Sequence, residues 1–329
     1  MIKVPSRIEI ANLPTKIEKL ERLSQKLNGP NIFIKRDDQT GTEISGNKVR
    51  KLEFAVKEAL DQGCNLLITC GGIQSNHARA TAAVAARLGL SSCLVLRSNG
   101  EEDIEGNLFL DKVLGAKIRF ITPEEYREKR MEIMADIRSE LSKEGYKPYI
   151  IPEGASNGIG TFGYFKAMEE IIQQEKEMGI RFDAVVIGVG SGGTYGGLFL
   201  ANKSMNHEAK IYGVNVCDDA NYFKNQIQKV INESLSYIDE PFEFTKDEIN
   251  IIDGYVGRGY ALSRPEEIEF IHELAKLEGV ILDPVYTGKA MFGLVNEIKK
   301  GNLKEHKNIL FIHTGGLYGL FPKKDLFSF

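Results

Sequence analysis

Along the chain, short apolar runs end in glycines and give way to stretches whose apolar residues recur every three or four positions. Asn65–Cys70 (NLLITC) meets Gly71-Gly72 and then Asn76–Leu88. Ser92–Leu96 (SCLVL) and Lys117–Ile121 (KIRFI) are further runs of this kind. Tyr146–Ile151 (YKPYII) leads to the glycine-rich Glu153–Gly163, and Ala184–Val189 (AVVIGV) to Gly190–Gly193 and an apolar stretch ending at Ala201. Lys210–Val216 and Ile309–His313 complete the set. Apolar runs without alternation suit strands covered on both faces, and their exchange with helix-length stretches predicts βαβ units around a parallel sheet. The charged, periodic Glu124–Gly145 predicts a surface helix. Asn47 stands where it can cap a helix running to about Leu60, with Val49, Leu52, Ala55, Val56 and Ala59 on its inner face. No internal repeat, low-complexity tract or Pro/Gly-rich linker divides the chain, so a domain boundary has to come from motifs and can be discontinuous.

The 329 residues fit two domains or one large α/β domain and are enough to bury a sizeable core. A net charge of -4, with bases and acids interspersed, gives no electrostatic reason to expect nucleic acid or an anionic membrane. The opening MIKVPSRIEI has neither an apolar core nor a small-residue cleavage site, and no apolar run reaches the ~20 residues of a membrane helix. Cys64, Cys70, Cys93 and Cys217 show no paired spacing and are expected as reduced thiols of a cytoplasmic protein.

Chemistry enters at the glycines. In GVGSGGTYGG (Gly188–Gly197) a buried strand ends, four glycines fall within six residues, and a helix begins. Such a turn brings main-chain N–H groups and a helix N-terminus to an anion, with the hydroxyls of Ser191 and Thr194 at hand. Phosphate is the expected ligand; the bland alternative is a tight turn with none. A dinucleotide competes, because Gly188, Gly190 and Gly193 fit G-x-G-x-x-G and Asp218 follows about where a ribose-binding acid belongs. In CGGIQSNHARATAAVAARLGL, Gln74, Ser75, Asn76 and His77 gather at a helix start. One cap explains one of them; His77 alone reads as a locally bonded residue. In ILFIHTGGLYGLF and LDPVYTGKAMFGL, Thr314, Tyr286 and Thr287 stand by strand ends and turns. A lone buried tyrosine is usually structural, but strand ends of open parallel sheets are where ligands bind. In SGNKVRKLEF, Lys48 lies on the apolar stripe and Lys51 at its edge, so periodicity leans to Lys48 as the more buried and leaves the reactive one undecided. A lysine that is desolvated or beside other cations loses basicity and suits condensation with an aldehyde cofactor.

Together with IKRDD (Ile34–Asp38), GSGGT (Gly190–Thr194) and IHTGG (Ile312–Gly316), these motifs resemble, in order and over almost the whole chain, the D-cysteine desulfhydrase and 1-aminocyclopropane-1-carboxylate deaminase family of fold type II pyridoxal-phosphate enzymes. The resemblance implies an α/β fold like the tryptophan synthase β-subunit, with two open, twisted, mostly parallel sheets flanked by helices. It implies a larger domain from 1–44 and 159–329, a smaller one from 45–158, a homodimer, pyridoxal 5'-phosphate as cofactor and no metal. It assigns the Schiff base to Lys51, against the periodicity. Asn76 is expected at the phenolic oxygen of the cofactor, Ser75 near the substrate carboxylate and in proton transfer, and Gln74 beside them at the substrate. Gly190, Ser191, Gly192, Gly193 and Thr194 are expected at the phosphate, Tyr286 near the pyridine ring, and Tyr260 as a second phenol. The deaminases carry a glutamate directly after this tyrosine, contacting the pyridine nitrogen; here Thr287 stands there and Thr314 follows in the HTG motif, as in the desulfhydrases. The implied reaction is release of sulfide, pyruvate and ammonia from D-cysteine. Rivals are aminocyclopropane-carboxylate deamination, elimination from another β-substituted alanine such as L-cysteate, a silent pyridoxal-phosphate carrier and, remotely, an NAD-dependent oxidoreductase. Two stretches depart from the family pattern, EGASNG (Glu153–Gly158) and CDDANYF with Asp218 and Asp219. The aspartates are expected near the substrate entrance, where they would repel a sulfonate.

Overall fold

The computed structural model describes residues 4–100, 102–239 and 241–328. Ten strands lie among them: β1 (Ile17–Lys19), β2 (Asn31–Lys35), β3 (Leu66–Gly72), β4 (Ser91–Arg97), β5 (Lys117–Ile121), β6 (Pro148–Ile150), β7 (Ala184–Val189), β8 (Lys210–Asn215), β9 (Asn250–Ile252) and β10 (Asn308–Ile312). They form a six-stranded sheet in the order β1-β2-β10-β7-β8-β9 and a four-stranded sheet in the order β5-β4-β3-β6. Only β1 runs antiparallel to its neighbour; all other pairs are parallel. The expected architecture of two mostly parallel sheets is therefore present. The three strands the apolar pattern missed, β1, β2 and β9, lie at or near the edges of the larger sheet, and β1 and β9 are only three residues long. No helix among the described residues is long and apolar enough to cross a membrane.

The continuous apolar runs are strands covered on both sides: the side chains of Leu66, Leu67 and Ile68 are fully buried, as are those of Ala184–Ile187. The charged segment forms helix Pro123–Lys143, opened by a Thr122–Glu125 capping box and burying only Tyr126, Met134, Ile137 and Leu141. Helix Asn47–Asp61 departs from the sequence reading at its start. Its cap position is Gly46, at φ 88, and Asn47 is the first helical residue. A side chain at 46 would meet the Thr314 carbonyl at 2.8 Å, while the Asn47 N–H donates to that carbonyl at 3.1 Å. The helix thus begins against the end of β10. Lys51 is fully buried and Lys48 only partly, which reverses the periodicity's lean. The reason is tertiary: helix Gly158–Met178 covers the Lys51 side, where a Cβ at Gly163 would lie 2.4 Å from the Arg50 carbonyl.

A buried ionic network holds this arrangement. Arg50 pairs with Asp37 at 2.9 Å and with Glu170 at 2.9 Å, Lys35 with Glu170 at 2.6 Å, and the Tyr164 hydroxyl donates to Asp37 at 2.5 Å. Burial raises the cost of every charge in it, but the Arg50 and Lys35 cations hold the carboxyl of Asp37 below its ordinary value. Its members come from β2, the turn after it, helix 47–61 and helix 158–178, so the helix carrying Lys51 is tied to the larger sheet on several sides.

Candidate active site

Four segments converge where parallel strands end, the place where open α/β sheets bind ligands. They are the turn after β3, the glycine loop after β7, the Thr314-Gly315 turn after β10, and the first turn of helix 47–61. Between them lies a cavity of about 720 Å³, its open mouth included.

The glycine loop forms one wall. A Cβ at Gly193 would stand 2.6 Å from the Lys51 Nζ and 2.7 Å from the Ser156 Oγ, so only glycine lets the start of helix Gly193–Ser204 come this near. Lys51 Nζ donates to Ser156 Oγ at 2.7 Å, and that oxygen lies 2.7 Å from Ser191 Oγ. Asn47, free of the capping role, donates from Nδ2 to Thr194 Oγ1 at 3.0 Å. Burial, with the Lys48 cation adding to it, pushes the Lys51 amine well below the ordinary lysine value. Burial also lowers Lys48, to about 8, but Glu153 and Asp283 oppose it. Lys48 lines the open cavity, 5.9 Å from the centre of the Tyr286 ring. Lys51 sits deeper, against Ser156.

The opposite wall is the start of helix Asn76–Arg87. Ser75 caps it, accepting from the Ala78 N–H at 3.1 Å. Asn76 lines the cavity. Gln74 is turned away: its Nε2 donates to the Glu105 carbonyl at 3.0 Å and its Oε1 accepts from the Asn107 N–H at 2.9 Å. His77 contacts Thr69 Oγ1 through Nε2 at 2.7 Å; because Thr69 donates to the Ile151 carbonyl, Nε2 carries the proton. The buried Nδ1 is left without a partner, and burial plus the two lysine charges hold the ring neutral.

The third wall carries the two phenols, with Tyr260 Oη 2.5 Å from Tyr286 Oη and the rings edge to face at 5.9 Å. Burial raises both, Tyr260 to about 12, so both are neutral at pH 7. Lys289, fully buried, holds the loop bearing Tyr260 by donating to the carbonyls of Val256, Gly259 and Leu262 at 2.6, 2.7 and 3.1 Å.

Besides the expectation of Gln74 at the substrate, two more are corrected. Thr287 does not face the cavity: its hydroxyl is buried, donating to Asp283 at 2.7 Å and accepting the Asp283 N–H at 2.9 Å. Thr314 lines the cavity. Asp218 and Asp219 are exposed and line no part of it, because Asp219 turns to cap helix Ala220–Leu235. Their repulsion of a sulfonate therefore loses its basis. Sequence reasoning missed Ser156, Lys289 and Asn107, and misread Asn47. Ser156 and Lys289 had a signal, since they lie in EGASNG and LDPVYTGKA; Asn107 had none.

A cradle of glycines and hydroxyls at a helix N-terminus, beside a buried amine held toward its neutral form, fits a cofactor with a phosphate and an aldehyde. A model of the pyridoxal-phosphate dependent enzymes matches residues 8–315. The chain belongs to that family. Its cofactor is pyridoxal phosphate, which leaves the dinucleotide alternative without support. The chain is 44% identical over 325 residues to the bifunctional D-cysteine desulfhydrase/1-aminocyclopropane-1-carboxylate deaminase of Arabidopsis thaliana, covering 96% of this chain and 79% of that protein. It is 43% identical over 320 residues to a Thermotoga maritima protein provisionally named 1-aminocyclopropane-1-carboxylate deaminase, covering 96% and 98%. A crystal structure of an ACC deaminase homologue superposes with a TM-score of 0.89 at 37% identity, covering 98% of this chain and 96% of that one.

Proposed function

We propose that this pyridoxal-phosphate enzyme is a lyase or deaminase of small amino acids, and that its preferred reaction is elimination of sulfide from D-cysteine. The observation that carries the reading is the Lys51 amine: fully buried, well below its ordinary pKa, and 2.7 Å from the Ser156 hydroxyl that adjoins the glycine cradle. The names of the two relatives support the reaction class.

Pyridoxal phosphate, when bound, supplies an aldehyde that captures amines and a ring that takes up the electrons left at the α-carbon. The protein supplies the rest. Gly190–Thr194 would hold the phosphate, with Ser156 joining Ser191. Lys51 would hold the aldehyde carbon of the cofactor, and its neutral Nζ is the base that would take the substrate's α-proton. Asn76 would donate to the phenolic oxygen, and Ser75 would serve the substrate carboxylate. Tyr286 would flank the ring, and Tyr260, bonded to the Tyr286 hydroxyl, would act as a neutral proton donor to the departing group. Loss of the α-proton and the Cβ thiol leaves an enamine that hydrolyses to pyruvate and ammonia.

Sulfide is favoured over cyclopropane opening by the groups on the wall assigned to the pyridine nitrogen. Thr314 lines the cavity there, Thr287 is turned to Asp283, and among the described residues the carboxylate that lines the cavity, Glu153, comes from the turn after β6. A neutral partner leaves a weaker electron sink, sufficient when sulfide departs and poorly matched to an unactivated ring. We further take 45–158 as a smaller domain, since the four-stranded sheet is built wholly within it. We take the protein as a cytoplasmic homodimer, with its four free cysteines suited to a reducing compartment. The deciding experiment is a product panel over D- and L-amino acids and aminocyclopropane carboxylate. Sulfide and pyruvate from D-cysteine, with little 2-oxobutanoate from the cyclopropane, are expected. The reverse pattern overturns the substrate and leaves the cofactor standing.

A further inference from the structure

Asn107 lies in none of the glycine loops, yet it is fully buried beside the cavity and bonded at every polar atom of its side chain. Its Oδ1 accepts from Arg79 Nε at 3.2 Å. A guanidinium only donates, so this bond identifies the oxygen. Arg79 is itself buried and anchored, its Nη1 donating to the carbonyls of Glu43 at 2.6 Å and Ser45 at 3.3 Å. The amide nitrogen of Asn107 donates to the main-chain oxygen of Gln74 at 3.0 Å, an atom that only accepts, and to Asn76 Oδ1 at 3.0 Å. Two partners of fixed character therefore determine how Asn107 sits, and Asn107 in turn determines how Asn76 sits. The oxygen of Asn76 faces Asn107. Its Nδ2 is left for the cavity that Asn76 lines.

We propose that Asn107 is a positioning residue that turns the amide of Asn76 so that its N–H groups, not its carbonyl, face the bound cofactor. This rests on the reading of Asn76 as the donor to the phenolic oxygen of pyridoxal phosphate. An N–H aimed at that oxygen favours its ionised form, and a carbonyl aimed at it would repel the same charge. Without a donor at 107, nothing in the wall distinguishes the two orientations of the Asn76 amide. With an acceptor there, the amide reverses.

The test is Asn107→Asp, which keeps the shape and exchanges the donor for an acceptor. Equilibrium dialysis of apo-protein with pyridoxal phosphate is expected to give affinity at least about tenfold weaker, and the pH midpoint of the bound cofactor's visible band is expected to rise. Asn107→Ala, which removes the donor without adding a charge near Asp111, carries the same test if the aspartate variant does not fold; a smaller loss in the same direction is expected. Thermal melting of each apo-variant separates folding from binding. A folded variant with wild-type affinity and an unmoved midpoint overturns the role of Asn107. Wild-type protein that binds no pyridoxal phosphate overturns the proposed function instead, before any variant is made.

Discussion

At the residue scale, two lysines three positions apart differ because their neighbours do. Lys51 has lost its water and faces a serine hydroxyl; Lys48 keeps contact with the cavity and feels the charges of Glu153 and Asp283, which favour its own. Borohydride reduction of the holoenzyme followed by peptide mapping is expected to label Lys51. A label on Lys48 would reverse the assignment. Asp111 is a second residue whose surroundings govern its charge. Both its carboxylate oxygens are buried without a partner, and burial, opposed only in part by Arg79, raises it from 3.8 to about 7. In this window the folded chain keeps a proton that the unfolded chain has released. Stability contributed by this group is therefore present below pH 4 and falls as pH rises to 7. Asp111→Asn is expected to melt about 2 to 5 °C above wild type at pH 8 and close to it at pH 4, which calorimetry at the two pH values measures.

At the element scale, the loop from Val256 to Leu262 shows how one buried side chain can shape a wall of the cavity. The loop has positive φ at Gly257, Gly259 and Ala261, and three of its carbonyls converge on the Lys289 ammonium. Lys289→Met keeps the bulk and removes the donors. It is expected to cost about 1–3 kcal/mol of stability for the carbonyls left unpaired, read by urea denaturation. Turnover is expected to fall as well, because Tyr260 rides on this loop. If the effect acts through Tyr260, adding Tyr260→Phe to Lys289→Met costs little more than Lys289→Met alone; fully additive losses in kcat would show that the clamp and the phenol act separately.

At the scale of the whole molecule, the site belongs to no single element. The cavity walls come from the turn after β3 in the smaller sheet, from the turns after β7 and β10 in the larger one and from the segments bearing Tyr260 and Tyr286, with helix 47–61 between them. A cofactor that bonds all of these stabilises the folded chain over the unfolded one by about 2.7 kcal/mol at a concentration of 100 Kd. Pyridoxal phosphate is therefore expected to raise the melting temperature of apo-protein, and to raise that of Lys51→Ala by less. An equal rise in both would mean that Lys51 adds nothing to cofactor binding.

The chain's own pattern determined most of the elements, and the resemblance its motifs carry determined the cofactor chemistry. Apolar runs closed by glycine specify buried strands with turns at their ends, and most of them are found within one or two residues of where the pattern places them. Such local signals depend on neighbours along the chain, so they are legible there. The glycine loop, the S-N pair and the lysine helix were legible for the same reason, each being a contiguous stretch with a recognisable resemblance. Tertiary packing decided the rest. It buried Lys51 in place of Lys48 by laying helix 158–178 on one side of a helix whose stripe leaned the other way. It gave Asn47 to Thr194, 147 positions away, whereas Thr287 turned to Asp283 and Asp219 to a helix cap through bonds only four and three positions long. It also brought Asn107 to Asn76 and Ser156 to Lys51, pairs separated by 31 and 105 positions. Hydrogen-bond partners that distant leave no periodicity in the sequence; they are chosen by which surfaces the two sheets bring face to face.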